Sequence, residues 1–127
     1  MLIEVHHETD ENGNVFTLRE DIEITWNGYR EWLYVAFTIP AGFKSDGASV
    51  PRFFWRVVFP PGDNRALRAA FAHDYIYRMH PEGWSKAEAD QMFYDLLIQG
   101  GIPWYRAKLA WLGVKLFGGP SWNQNKK

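Results

Sequence analysis

Ile22-Glu23-Ile24-Thr25-Trp26-Asn27-Gly28-Tyr29-Arg30-Glu31-Trp32-Leu33-Tyr34-Val35-Ala36-Phe37 is the stretch that decides the fold. Its first arm alternates apolar Ile22, Ile24 and Trp26 with polar Glu23 and Thr25, the two-residue period of a strand with one wet face. Asn-Gly accepts the positive φ angles of a tight hairpin turn, so Asn27-Gly28 reads as the hairpin, with Tyr29 to Glu31 able to lengthen its loop. The second arm, Trp32 to Phe37, is apolar at every position and is expected to be a central strand covered on both faces.

Outward from this hairpin, Asn12-Gly13-Asn14 marks an earlier turn, and Pro40 and Gly42 close the strand region. Beyond it the punctuation is helical. Ser49 suits an N-cap with Pro51 in the first turn of a short helix to about Phe59, and Pro60-Pro61-Gly62 breaks it. Asp63 is expected to cap a second helix to about Arg78, followed by a Pro81-Glu82-Gly83 connector. Ser85-Lys86-Ala87-Glu88 is a capping box that opens a third helix to about Gln99, stopped by Gly100-Gly101. Pro103 opens a fourth, Trp104 to Phe117, ended by Gly118-Gly119-Pro120, and the polar end Asn123 to Lys127 is expected to fray. Strands followed by helices indicate an α+β domain, an N-terminal antiparallel sheet of three or four strands packed on about four helices. One domain is expected over residues 1–127, with a β part at 1–45, a helical part at 49–118 and a tail at 119–127.

Composition narrows the function classes. Apolar residues make up 46% and aromatics 17% of 127 residues, enough for a full core with some rings left for interfaces. Fourteen Lys and Arg against fifteen Asp and Glu exclude a global attraction to nucleic acid, which is not expected as a partner. The absence of cysteine removes thiol catalysis and disulfides and fits a reducing compartment or a virion interior. No signal peptide is expected at Met1-Leu2-Ile3-Glu4, and no apolar run reaches the roughly 18 residues that span a bilayer.

His73-Asp74-Tyr75-Ile76-Tyr77 puts an imidazole, a carboxylate and a phenol into an otherwise apolar helix. A buried polar group without a partner costs roughly 1 to 3 kcal/mol, and an unpaired carboxylate more, so these groups must be bonded, paired or metal-bound. His73 and Tyr77 share a helix face and Asp74 is turned away by about 100°. Asp90 aligns with Phe93 and Leu97 on an apolar stripe, whereas Asp95 falls with Glu88 on a wet face. A carboxylate so placed could accept from His73, fixing its tautomer and making the other ring nitrogen a better base. It could equally serve Tyr or Trp donors in the core.

Asp46 sits in a Gly-containing loop before a helix start, where a carboxylate can hold backbone amides, ligate a cation or simply make a turn. Arg52 and Trp55 follow on the short helix, where Arg could bind phosphate, pair with Asp46 or stack. Ser49 is accounted for as a cap. His6 and His7, adjacent on a strand, point to opposite faces and make poor chelators, and His80 suits a helix C-terminus. Trp84, Trp104 and Trp111 suit either a membrane-facing or partner-facing rim or the core. P-loop, dinucleotide, zincin, EF-hand and serine-nucleophile patterns are missing.

Ser45-Asp46-Gly47-Ala48-Ser49-Val50-Pro51-Arg52, Ala72-His73-Asp74-Tyr75-Ile76-Tyr77, Ala89-Asp90-Gln91-Met92-Phe93 and the closing Gly118 to Trp122 resemble, over residues 40 to 122, an uncharacterised domain family of tailed phages and prophages. That resemblance implies a phage or prophage origin, with the host bacterial cytoplasm or the phage particle as location, and no established activity. The helical half is also similar to phospholipase A-two enzymes of the parvovirus capsid type, at His73, Asp74, Tyr77, Ala89, Asp90 and Phe93. This likeness implies His73 as general base, Asp90 as its orienter and Asp74 as ligand to calcium. It departs in lacking the tyrosine-glycine-rich calcium loop, which Asp46-Gly47 or Pro61-Gly62-Asp63 would have to replace, and in carrying an N-terminal sheet.

The expected function is a phage-associated, metal-dependent hydrolase, acting on a phospholipid ester first and a cell-wall bond second. Its site residues are His73, Asp90 and Tyr77, with Asp74 and Asp46 on a divalent cation (calcium first, zinc or manganese second) and Ser49, Arg52 and Trp55 in support. The alternative is a non-enzymatic virion or assembly protein that docks phage or host proteins through its aromatics, its polar cluster a buried scaffold.

Overall fold

A computed structural model of the chain describes residues 5–10, 13–27, 34–45 and 66–124. Among the described residues five strands precede four helices, the α+β order that the sequence pattern dictates. Strands β1 (Val5–Asp10), β2 (Gly13–Leu18) and β5 (Lys44–Ser45) form one antiparallel sheet in the order β1-β2-β5. Strands β3 (Ile22–Asn27) and β4 (Tyr34–Ile39) form a second, two-stranded one. The expected N-terminal antiparallel strands are present, and among the described residues they divide into two ladders. The β1–β2 register pairs Asp10 with Gly13, so Gly13 and Asn14 belong to β2, and Asn12 of the expected turn lies outside the described residues. His6 and His7 stand in β1, an edge strand of that sheet.

Asn27 pairs with Tyr34 in the β3–β4 ladder, and the expected turn residue Gly28 lies outside the described residues. Ile22, Ile24 and Trp26 are buried and Glu23 and Asn27 exposed, as the alternation of β3 requires. Strand β4 departs from expectation. It pairs with β3 alone among the described residues, and Tyr34 is 64% exposed. The period of two turns Val35, Phe37 and Ile39 inward and leaves Tyr34 and Ala36 in water, which a phenol and a methyl tolerate. Gly42, at φ 90°, closes the turn after β4, where the Phe43 N–H donates to the Pro40 carbonyl.

Helix α1 (Leu67–Met79) follows Ala66, which gives no side-chain cap, and the expected Asp63 cap and short helix over 49–59 lie outside the described residues. Helix α2 (Lys86–Gln99) begins with the full capping box: the Ser85 hydroxyl accepts from the Glu88 N–H, and the Glu88 carboxylate accepts from the Ser85 N–H. Helix α3 (Trp104–Phe117) follows Pro103. The expected tail is instead partly ordered as a short helix, α4 (Gly119–Gln124), because Trp122 finds an apolar seat against Tyr77 at a ring separation of 5.2 Å.

The core lies between the inner face of β3 and helices α1 to α3, with Trp26, Phe71, Phe93, Ile24, Ile39 and Leu97 among its buried side chains. Trp26 stacks on Trp84 at 5.5 Å, and its indole N–H donates to Asp95 Oδ2 at 2.7 Å. Asp95 is therefore not simply on a wet face: a buried indole requires an acceptor, and α2 supplies it. Phe37 of β4 stacks on Tyr75 of α1 at 5.6 Å, fixing the hairpin on the helix that carries the polar cluster.

Candidate functional site

Helical geometry alone brings the first two groups together. His73 and Tyr77, one turn apart on α1, place their rings 4.1 Å apart, and Phe93 of α2 closes the other side of the imidazole at 4.8 Å. Asp90 faces them from α2. Its Oδ1 accepts from His73 Nε2 at 2.9 Å and from the Tyr77 hydroxyl at 2.6 Å. Both alternatives open at the sequence level are thus realised by one oxygen. Asp90 Oδ2 accepts from Lys86 Nζ at 2.8 Å. His73, Asp90 and Asp74 are 2%, 3% and 5% exposed, so the cluster is buried.

Lys86 is the site member that sequence alone does not single out, because the capping box already accounts for its position. Its i,i+4 spacing to Asp90 is the signal that finds it. The same ammonium donates to the carbonyls of Val114 at 2.9 Å and Lys115 at 3.3 Å, at the C-terminal end of α3. The Val114 carbonyl also accepts from the Gly118 N–H at 2.9 Å, so Lys86 adds a second donor there, and its cation meets the negative end of the helix dipole. Gly118 completes the wall. A Cβ there would lie 2.7 Å from the Tyr77 hydroxyl and 2.5 Å from the Val114 carbonyl, so only glycine permits this approach.

Protonation follows from the partners. An ionised carboxylate can only accept, so His73 Nε2 carries the proton of that bond and Nδ1 takes no part in it. Nδ1 stands 3.9 Å from Asp74 Oδ1, too far for a hydrogen bond between them. Burial disfavours the imidazolium, yet Asp74 and Asp90 outweigh it and hold His73 above its ordinary value of 6.5. Burial likewise works against the Asp90 anion, but His73, Lys86 and Tyr77 pull its carboxyl below 3.8. Burial and then Asp90 push the Tyr77 phenol up, so it stays a donor.

Asp46, Ser49, Arg52 and Trp55 lie outside the described residues. The strand leading to them is tied to the site helix, since Arg78 of α1 donates to the Lys44 carbonyl in β5 and its guanidinium lies 5.1 Å from the Phe43 ring centre. His80 is the C-cap of α1, in the left-handed region at φ 46°, and its Nε2 donates to the Trp122 carbonyl at 2.8 Å. Of the three rim tryptophans, Trp84 packs on the core, Trp111 is half-buried and Trp104 is exposed. Among the described residues no three His, Cys, Asp or Glu side chains converge on a cation position. Asp74 is a hard oxygen donor, but a calcium ion takes roughly six to eight such oxygens, and both Asp90 oxygens are already committed. The described residues therefore do not make a cation site by themselves. No helix among them is long and apolar enough to cross a membrane.

Residues 23–114 match the model of a family described as "Protein of unknown function (DUF1353)", a span that holds all but the first residue of β3, all of β4, and His73, Asp74, Tyr77, Lys86 and Asp90. The match reaches further toward the N-terminus than the motif resemblance, taking in the β3–β4 ladder. Two proteins of Sinorhizobium fredii (strain NBRC 101917 / NGR234) are similar. Uncharacterized protein y4jT is 29% identical over 89 residues, 70% of this chain and 26% of its own length. Uncharacterized protein y4iH is 35% identical over 79 residues, 62% of this chain and 32% of its own length. The chain thus spans about a quarter to a third of the length of these relatives. No solved structure matches it.

Proposed function

Since the chain belongs to the DUF1353 family, whose description carries no activity, we propose a function from the site: hydrolysis, with His73 as general base and Asp90 as its orienter. The observation that carries this is the pair of carboxylates flanking one imidazole, Asp90 at 2.9 Å from Nε2 and Asp74 at 3.9 Å from Nδ1. The first separation is a hydrogen bond; the second suits one water molecule bonded to both atoms. In the neutral Nε2–H tautomer, Nδ1 takes a proton from that water as its oxygen attacks an ester carbonyl. Asp90 stabilises the imidazolium so formed, and Tyr77 and Lys86 keep Asp90 anionic and fixed. Protonation of the leaving alkoxide by His73 returns the base.

The substrate class is a phospholipid ester first and a cell-wall bond second, in a phage or prophage setting. The motif likenesses at His73, Asp74, Tyr77, Asp90 and Phe93 support both points. A divalent cation belongs to this proposal through Asp74, with Asp46 and other oxygens completing its shell, and it would polarise the ester carbonyl. The alternative is a non-enzymatic virion or assembly protein. What favours it is that both Asp90 oxygens are committed and tie α1, α2 and, through Lys86, the end of α3 together, as a scaffold would.

Two linked measurements test the proposal. Calcium, then zinc and manganese, are titrated by calorimetry into chelator-treated protein with Asp74→Asn as control. Fatty-acid release from phospholipid vesicles is then followed for wild type and His73→Asn, with peptidoglycan as second substrate. Binding lost in Asp74→Asn and turnover lost in His73→Asn are expected. A folded wild type that binds no ion and turns over neither substrate overturns hydrolysis in favour of the scaffold.

A further inference from the structure

Helix α3 carries a surface that the site does not use. Trp104, Tyr105, Leu109 and Leu116 are exposed on it, Trp104 by 69% and Leu116 by 68%, while Ala107, Ala110 and Val114 face the core. Positions 105, 109, 112 and 116 form one apolar stripe of Tyr, Leu, Leu and Leu. Positions 104, 108, 111 and 115 form the adjoining one, in which Trp and Lys alternate. Lys108 Nζ lies 4.2 Å and Lys115 Nζ 4.7 Å from the Trp111 ring centre, so two ammonium groups frame one indole at the surface.

Charge along the chain is segregated in the same place. No Asp or Glu follows Asp95, whereas Arg106, Lys108, Lys115, Lys126 and Lys127 do, in a protein whose net charge is −1. An exposed apolar stripe beside cations, with no carboxylate on the helix, fits a partner that is apolar within and anionic at its surface. Nucleic acid would use the cations but leave Leu109 and Leu116 in water. An anionic bilayer uses both, with Leu and Trp entering the acyl boundary and Lys and Arg at the headgroups.

We propose that α3 is a membrane-docking helix that lies in the plane of an anionic lipid surface through Trp104, Tyr105, Leu109 and Leu116, with Lys108 and Lys115 on the phosphates. This does not rest on the hydrolase proposal, because binding is read without turnover.

The test is sedimentation of the full chain with vesicles of phosphatidylglycerol or of phosphatidylcholine, at low and at high salt, with tryptophan emission as a second readout. Binding to phosphatidylglycerol, weakened by salt and accompanied by a blue shift, is expected. Each basic residue near such a surface contributes roughly fivefold in partitioning, so Lys108→Gln/Lys115→Gln should bind about 30-fold more weakly. Leu116→Asp should lose binding at all salt concentrations, and circular dichroism checks that both variants keep their helices. A wild type that does not bind phosphatidylglycerol overturns the proposal, as does binding that both variants retain. Lipid-independent self-association abolished by Leu116→Asp would also overturn it, making a second copy of the chain the occupant of this face.

Discussion

Asp90→Asn is the substitution whose cost the geometry defines best. Asn keeps the shape and one acceptor oxygen, so His73 and Tyr77 can both still bond, but to a neutral acceptor in place of a carboxylate. Charge-assisted bonds contribute roughly 1.5 to 3 kcal/mol and neutral ones about 1, so these two weaken by about 1 kcal/mol each. The amide nitrogen then faces Lys86 Nζ, donor against donor, and that bond is lost outright at about 2 kcal/mol. Lys86 is 23% exposed and keeps the Val114 and Lys115 carbonyls, so water and backbone offset part of its loss. The expected destabilisation is about 3 kcal/mol, near the lower end for breaking a buried pair. For a chain of 127 residues this lowers Tm by roughly 10 to 15 °C. Calorimetric melts of wild type and Asp90→Asn at pH 6, with urea unfolding for the free energy, measure it. A loss under about 1 kcal/mol would refute the three-partner description of Asp90.

Three further outcomes follow from the same packing. Stability should peak in mildly acidic solution: His73, raised above 6.5 when folded, contributes fully below 6.5 and loses its contribution as pH rises through its folded value. Asp90, depressed below 3.8, contributes above 3.8 and loses it as pH falls through its folded value, so a pH series of Tm on wild type and His73→Asn should flatten on the alkaline side in the variant. Gly118→Ala should destabilise by roughly 1 to 3 kcal/mol despite alanine's better helix propensity, because its Cβ meets the Val114 carbonyl at 2.5 Å; chemical denaturation would show it. Trp26→Phe removes the donor to Asp95 and part of the stack on Trp84, and should cost about 2 to 4 kcal/mol by the same measurement.

Most of the fold was legible because its signals are local. The alternation at Ile22, Ile24 and Trp26, the capping box at Ser85 and the glycines after Gln99 act within a few residues of the chain. The misread features depend on distant partners. Strand β4 looked central because apolar residues occupy both faces, yet whether a second neighbour covers it is a tertiary fact. Gly118 to Asn123 looked like a stop and a tail, and only the seat beside Tyr77 and His80 explains the turn of helix there. Within the site, His73, Tyr77 and Asp90 were findable as polar breaks in apolar stripes. Lys86 was not, because a lysine in a first helical turn breaks no pattern until the end of α3 is known to lie beside it.

A scaffold and a catalytic dyad make the same demands on Asp90, so melting Asp90 variants cannot separate them. They differ at His73 Nδ1. A scaffold gains most when both ring nitrogens are closed by short bonds, which would bring Asp74 to about 2.8 Å. The structure instead holds Asp74 at 3.9 Å while Nε2 is bonded at 2.9 Å, an asymmetry within one ring between two buried carboxylates. Asp74 follows His73 on the same helix and is turned about 100° from it, so helical geometry sets the wider spacing on the Nδ1 side. A base needs that asymmetry: one nitrogen held, the other spaced for a reactant. His73→Gln therefore tests the difference, since its amide can still donate to Asp90 but offers no basic nitrogen. A variant that stays folded by circular dichroism, with all turnover lost, is the result a base predicts, whereas a scaffold predicts no turnover to lose in the wild type.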